Sequence, residues 1–286
     1  MPETNRTIAT THAEIRLTDT GGPGLPLLML HGSGASRKVF APLLAGPLAE
    51  RHRLVALDLP GHGESSNARD PGWGYSLTGF ADIVADVLRS LDIGRVAIFG
   101  WSLGGHIAIE LLHRHPGVAG LFLTGAPPVG RGPIAMLRGF HASWDMLLAS
   151  KEKFTPHDVE RYALLCYGPG APVAFLDDIR RADGRARVFF SRSIMRGDGA
   201  DQKRTVEDAH VPVAIVNGEH DPFIRHGYIA GLGIPTLWDG RVHTLEGAGH
   251  AAFRDASERF TALLMRFAAD AETWRDLATA DVARRA

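Results

Sequence analysis

Between the apolar run Arg95-Val96-Ala97-Ile98-Phe99 and the helix-like segment His106 to His115 lie Gly100-Trp101-Ser102-Leu103-Gly104-Gly105. A Gly-x-Ser-x-Gly sequence placed between a strand and a helix turns the chain so sharply that the serine side chain projects out of the fold. Gly100 and Gly104 supply the two missing side chains, because a Cβ at either place would collide with the neighbouring strand or helix. The competing reading is a glycine-rich strand-to-helix turn in which Ser102 only caps. The strand before it and the helix after it favour a nucleophile at Ser102.

The rest of the chain repeats that alternation. Leu25 to Leu30, Arg53 to Leu57, Val96 to Phe99, Gly120 to Thr124, Val211 to Val216 and Arg241 to Leu245 read as buried strands. Leu77 to Leu91 carries apolar residues at spacings of three and four (Phe80, Ile83, Val84, Val87, Leu88, Leu91), which marks one face of a helix. Strands alternating with helices imply right-handed crossovers and a mostly parallel sheet covered on both faces. The alternation stops after Pro127-Pro128 and resumes at Val211. Residues 129–210 hold helical patterns such as Met136 to Ala149 and Asp158 to Cys166 but no convincing strand. They also hold aromatics (Trp144, Phe154, Tyr162, Tyr167, Phe175, Phe189, Phe190) that need something to pack against. The expectation is a core domain of residues 1–128 and 211–286 with a helical cap, 129–210, inserted into it. Phe253 to Ala269 reads as a closing helix, and the charged tail to Ala286 as peripheral.

Composition removes several classes of function. A net charge of −1 over 286 residues gives no support for nucleic acid or an anionic membrane as a partner. The polar stretch Met1 to Thr11 lacks the apolar core of a secretory signal, and no run is long enough to span a bilayer. The single cysteine, Cys166, has no partner for an internal disulfide and reads as a packed residue. A cytoplasmic protein with a small-molecule substrate is expected. No histidines show zinc-protease spacing and no Gly-x-Gly-x-x-Gly loop follows an early strand, so neither a metal nor a cofactor is expected.

A serine hydroxyl needs a base to take its proton and a third group to orient that base. Of fourteen histidines, His250 lies on the glycine-rich loop Glu246-Gly247-Ala248-Gly249-His250, after a late strand and before the closing helix. His243, inside the last strand, is its rival. The acid should leave a strand end between nucleophile and histidine. Asp221, in Asn217-Gly218-Glu219-His220-Asp221-Pro222, fits, with Glu219 as the alternative in the same turn. Donors for a tetrahedral oxyanion come from the backbone N–H of Leu103, next after the nucleophile, and from the early loop His31-Gly32-Ser33-Gly34, with Ser33 N–H as the donor. Asp58-Leu59-Pro60-Gly61-His62-Gly63-Glu64-Ser65 reads as a structural turn in which His62 hydrogen-bonds locally.

These segments together resemble the α/β-hydrolase superfamily over nearly the whole chain. Gly100 to Ile107, Thr124-Gly125-Ala126-Pro127-Pro128-Val129, Asp183-Gly184-Arg185-Ala186-Arg187 and Ala248 to Arg254 further resemble the metal-independent N-acyl-homoserine-lactone hydrolases of that superfamily. The resemblance implies an α/β-hydrolase fold, with a mostly parallel eight-stranded sheet, helices on both faces and an inserted helical cap. It implies a Ser102-His250-Asp221 triad opening the lactone ring, an oxyanion hole at Ser33 and Leu103, and substrate contacts from His31, Gly32, Trp101 and Tyr162. Tyr162 matches a cap tyrosine near the substrate carbonyl, and packing within the cap is its other reading. Two positions depart from those lactonases, which carry asparagine where this chain has Ser33 and glutamate where it has Asp221. A backbone donor survives the first change and a carboxylate the second. Alternative functions on the same scaffold are a carboxylesterase or other small-molecule lactonase, a ligand receptor, and a cofactor-free perhydrolase.

Overall fold

The computed structural model describes residues 4–274, without the side chains of Trp144 and Met146. The expected peripheral tail beyond Trp274 and the packing of Trp144 lie outside the described residues. Eight strands form one sheet: β1 (Thr4–Ala9), β2 (Glu14–Asp19), β3 (Leu27–Leu30), β4 (Leu54–Leu57), β5 (Val96–Trp101), β6 (Val118–Thr124), β7 (Val213–Gly218) and β8 (His243–Leu245). Their order is β1-β2-β4-β3-β5-β6-β7-β8. β1 pairs with β2, and β2 with β4, in antiparallel fashion; every pairing from β4 through β8 is parallel. β3 to β7 are buried along their whole length, as parallel strands covered on both faces must be.

Six strands fall on the apolar runs of the sequence. β1 and β2 do not show as such runs. Thr4 to Ala9 is a polar, exposed edge strand, and β2 buries Ile15 and Leu17 by alternation within a polar stretch.

Phe99 and Gly100 are neighbours on β5, so they face opposite sides of the sheet, and each side has its own helix. The rings of Phe99 and Phe122 both lie 5.3 Å from Phe260 on the helix Ser257–Thr273. On the other side, Gly100 meets the helix Leu103–Leu111, which packs against the helix Leu77–Ser90. Ser76 caps that last helix by accepting from Gly79 N at 3.0 Å. The closing helix expected over Phe253 to Ala269 is two pieces, Ala252–Asp255 and Ser257–Thr273, broken where Ala256 turns to φ −125°, ψ 46°.

The inserted cap between β6 and β7 is helical: Pro133–Gly139, a 3-10 turn at Trp144–Ser150, Pro156–Tyr167, Val173–Arg181, Gly184–Arg196 and Gln202–Glu207. The single helix expected over Met136 to Ala149 does not form. Its backbone is recruited elsewhere: Phe140 bridges to Ile224, Arg225 N donates to Gly139 O and His141 N to Phe223 O, both at 2.8 Å. The cap is tied to the core by polar side-chain bonds, among them the buried Ser36 Oγ to Asp178 Oδ2 at 2.6 Å and the part-buried Tyr75 OH to Asp183 Oδ2 at 2.8 Å. Among the described residues no helix is long and apolar enough to cross a membrane.

Candidate active site

Ser102 sits at the end of β5 with φ 53° and ψ −119°, a left-handed conformation that a residue bearing a Cβ adopts only under compulsion. The compulsion comes from both sides. Ser102 N donates to Thr124 O on β6 at 2.8 Å, while its own carbonyl accepts from Gly105 N and His106 N at 2.9 and 3.2 Å. A Cβ on Gly100 would lie 2.5 Å from Gly104 O, and one on Gly104 would run into the carbonyl oxygen of Leu30. The helix Leu103–Leu111 therefore approaches the sheet as closely as backbone allows, and its first residues are pressed against the strand ends.

His250 and Asp221 meet beside this turn. His250 Nδ1 is 2.7 Å from Asp221 Oδ2, and both residues are at least nine-tenths buried. Asp221 Oδ1 accepts from Phe223 N at 2.9 Å, which fixes the carboxylate plane. The His250 ring has Phe223 edge-on at 4.6 Å, and its backbone oxygen accepts from Trp101 Nε1 at 2.9 Å. Gly125, at φ 63°, closes the remaining side: a Cβ there would lie 2.5 Å from His250 Cε1, and Gly125 N donates to the buried Asn217 Oδ1 at 2.8 Å. With Nδ1 engaged, Nε2 is the ring nitrogen left for proton transfer. The alternatives lie elsewhere. Glu219 is exposed and accepts from Gly247 N at 3.0 Å, and His243 packs on Trp238 with Asp239 Oδ2 at 3.3 Å from its Nε2.

Ser33, Ser102, Leu103, Tyr162 and His250 line one cavity of about 710 Å³, within the size range that encloses a drug-sized ligand. Leu103 is the first residue of its helix, so its N–H has no intrahelical partner. Above the polar end, the cap contributes Met136, Leu137, Phe140, Phe190, Ile194 and Met195. A second depression, about 660 Å³ between Leu112–Val118 and Asp201–Val211, contains none of the expected catalytic residues. Among the described residues no three His, Cys, Asp or Glu side chains converge to hold a metal ion.

Of the four residues expected to contact substrate, only Tyr162 lines the cavity. His31 is buried, with Nδ1 2.8 Å from Gly32 O and Nε2 accepting from Leu59 N at 3.0 Å, so both ring nitrogens are spent on the loop itself. Burial holds its pKa below the ordinary histidine value. Gly32 is packed on the elbow; a Cβ there would lie 3.1 Å from the Trp101 ring and 3.2 Å from Ser102 Cβ. Trp101 is itself buried behind His250. These three build the wall, and Tyr162 faces the space while its hydroxyl donates to Ser33 O at 3.3 Å. Cys166 also lines the cavity, where burial pushes its thiol up to about 12 and keeps it protonated.

The Asp58 turn is held by a buried ion pair to Arg37, with Arg37 N and Glu64 N donating to the same carboxylate at 2.7 and 2.8 Å. His62 Nδ1 lies 3.1 Å from Pro60 O within that turn. Sequence reasoning missed His106, Gly125 and Asn217. His106, four residues after Ser102, had a readable signal in that spacing. Gly125 and Asn217 stood inside segments singled out in the sequence, but their contact depends on how the ends of β6 and β7 lie side by side.

A sequence model of the alpha/beta hydrolase family matches residues 27–263. Among curated proteins, the 2-hydroxymuconate semialdehyde hydrolase of Pseudomonas sp. (strain CF600) is 29% identical over 286 residues, covering 95% of this chain and 96% of the relative. An esterase of Mycobacterium tuberculosis is 28% identical, covering 89% and 85% of the two chains. Among solved structures, the N-acyl homoserine lactonase AidH complexed with N-butanoyl homoserine superposes with a TM-score of 0.92. It is 40% identical, over 95% of this chain and 98% of that one. An esterase from Exiguobacterium antarcticum, 23% identical over 93% and 99% of the chains with a TM-score of 0.75, shares the fold.

Proposed function

The chain belongs to the alpha/beta hydrolase family, and from that premise we propose that it opens the lactone ring of N-acyl-homoserine lactones with Ser102 as nucleophile. The observation that carries this reading is the likeness to the lactonase AidH, 40% identical over nearly the full length of both chains. In this mechanism His250 Nε2 takes the Ser102 hydroxyl proton as Oγ attacks the lactone carbonyl. Asp221, 2.7 Å from Nδ1, holds the imidazole in the required tautomer and stabilises the imidazolium that forms. The N–H groups of Leu103 and Ser33 receive the oxyanion, and each such donor is worth roughly 2.7–4 kcal/mol in the transition state. As the tetrahedral intermediate collapses, His250 returns the proton to the ring oxygen and the C–O bond breaks, leaving an acyl-enzyme whose new hydroxyl stays tethered. Water, deprotonated by His250, attacks the acyl-enzyme; as that second tetrahedral intermediate collapses, the bond to Ser102 Oγ breaks, His250 returns the proton to Oγ, and N-acyl-homoserine is released. Residues 129–210 act as the cap that encloses the acyl chain between Met136, Phe140, Phe190 and Met195.

The test is incubation with N-acyl-homoserine lactones of several chain lengths, with ring opening followed by mass spectrometry. Ring opening by the wild type is expected, and Ser102→Ala should lower turnover by on the order of 10⁶. Esters cleaved while every lactone stays intact would overturn the lactone assignment in favour of a carboxylesterase, which the esterase relative supports. Near-normal turnover by Ser102→Ala would remove the serine mechanism altogether.

A further inference from the structure

His106 stands in the first turn of the helix Leu103–Leu111, and its ring forms cavity wall between Ser102 and the cap. The ring centres of Phe140 and Phe190 lie 5.9 and 6.1 Å from it. Its Nδ1 is 2.7 Å from Gln202 Oε1, and Gln202 Nε2 donates to the backbone oxygen of His106 at 3.1 Å. That second bond settles the first. A backbone oxygen only accepts, so the amide nitrogen must face it, and the amide oxygen must then face the ring. Since an amide oxygen also only accepts, Nδ1 carries the imidazole proton. Nε2 keeps its lone pair and has no protein partner among the described residues. Burial pulls the ring's pKa down to about 4, so it stays neutral at ordinary pH. The result is a pure acceptor of fixed tautomer, set in an aromatic wall close to the nucleophile. Such an acceptor is costly to cover with an occupant that offers it nothing.

We propose that His106 Nε2 is a specificity-determining acceptor for an N–H or O–H donor on the acyl substrate, so that the enzyme selects donor-bearing acyl compounds over isosteres without one. The inference rests on Ser102 being the nucleophile. An N-acyl-homoserine lactone offers its amide N–H next to the ring, and a hydroxylated acyl chain offers a second source. Gln202 acts through His106 as a positioning residue.

The experiment compares kcat/KM for N-hexanoyl-homoserine lactone with that for its oxygen isostere, α-hexanoyloxy-γ-butyrolactone, and for amides with and without a chain hydroxyl. A preference of about tenfold to a hundredfold for the donor-bearing member of at least one pair is expected, the range set by leaving a buried acceptor unpaired. The pair that shows it identifies the donor. His106→Phe keeps an aromatic ring against Phe140 and Phe190 and should bring that ratio close to one while retaining turnover of the isostere. Gln202→Leu, which frees the tautomer, should reduce the ratio in part. Ratios near one for both pairs in the wild type, or a ratio unchanged in His106→Phe, would overturn the assignment. Should His106→Phe fail to fold, the wild-type ratios and Gln202→Leu still decide. Linear methyl esters built as the same pairs separate this inference from the lactone reading. Donor preference on esters with lactones untouched sinks only the lactone reading, and lactones opened without preference sink only the assignment of His106. Dissociation constants of the paired lactones on Ser102→Ala give the same ratio independently of turnover.

Discussion

At the scale of single residues, the two candidate acids in the turn after β7 are separated by the direction their carboxylates face. The sequence favours Asp221 and leaves Glu219 as the alternative, and only Asp221 faces inward. Its carboxylate bridges His250 Nδ1 and Phe223 N, while Glu219 points to solvent and caps Gly247. Asp221→Asn should therefore lower kcat by about 10⁴ with little change in fold, as removal of a triad carboxylate does elsewhere, whereas Glu219→Gln should stay within about twofold of wild type. Comparable losses in both variants, measured as kcat/KM on one substrate, would reassign the acid. The same logic explains why His31, Gly32 and Trp101 stand behind the cavity lining. His31 and Trp101 stand in motifs next to the reacting residues, but each has its polar atoms satisfied by backbone, Leu59 N and His250 O, on the side away from the cavity. Adjacency in sequence showed proximity to the site, and only the direction of the side chains separated wall from lining.

At the scale of elements, the turn from β5 into the helix Leu103–Leu111 is the most legible part of the molecule. Gly100 is demanded within the turn itself, by the backbone of Gly104 and Gly105, whereas Gly104 is demanded by a neighbouring strand. Gly104 touches the end of β3 so closely that Gly104→Ala must push the helix away from the sheet. A destabilisation of about 3 kcal/mol is expected, the upper end of what overpacking commonly costs, together with loss of activity as Ser102 leaves its left-handed conformation. A urea midpoint equal to that of wild type would show the helix shifting freely and refute this account. The cap was less legible. The apolar spacing of Met136 to Ala149 suits one helix, but the segment pairs with Ile224 in the loop after Asp221, and that long-range backbone pairing prevails over local propensity. Strands β1 and β2 were hidden for a related reason. β1 is an edge strand and needs few apolar residues, and β2, paired on both sides, sets its apolar residues in alternation, so neither leaves a run to read.

At the scale of the whole molecule, burial of neutral histidines links stability to pH. His62 and His106 are pulled by burial from 6.5 to about 3 and about 4. Between those values and 6.5 the unfolded chain binds protons at these sites that the folded chain refuses. Stability is then fully present above pH 6.5 and falls as pH drops, by up to about 1.4 kcal/mol per pH unit for each histidine. Urea midpoints between pH 7.5 and pH 4 should decline, and His106→Phe should decline less steeply; an identical slope in the variant would show that His106 does not titrate on unfolding. What the sequence by itself determined is the alternation of six apolar strands with helices, the helical stretch inserted between β6 and β7, and the chain order of Ser102, Asp221 and His250. Those follow from local periodicity and from the placement of glycine and proline along the chain. The tertiary structure alone decided which carboxylate meets His250, which motif residues line the cavity, and that Gln202, ninety-six residues from His106, sets the tautomer of a histidine in the same cavity as Ser102. Those outcomes depend on how distant segments lie against one another, and in loops and turns, which lack the periodicity of helices and strands, no local pattern encodes the direction in which a side chain faces.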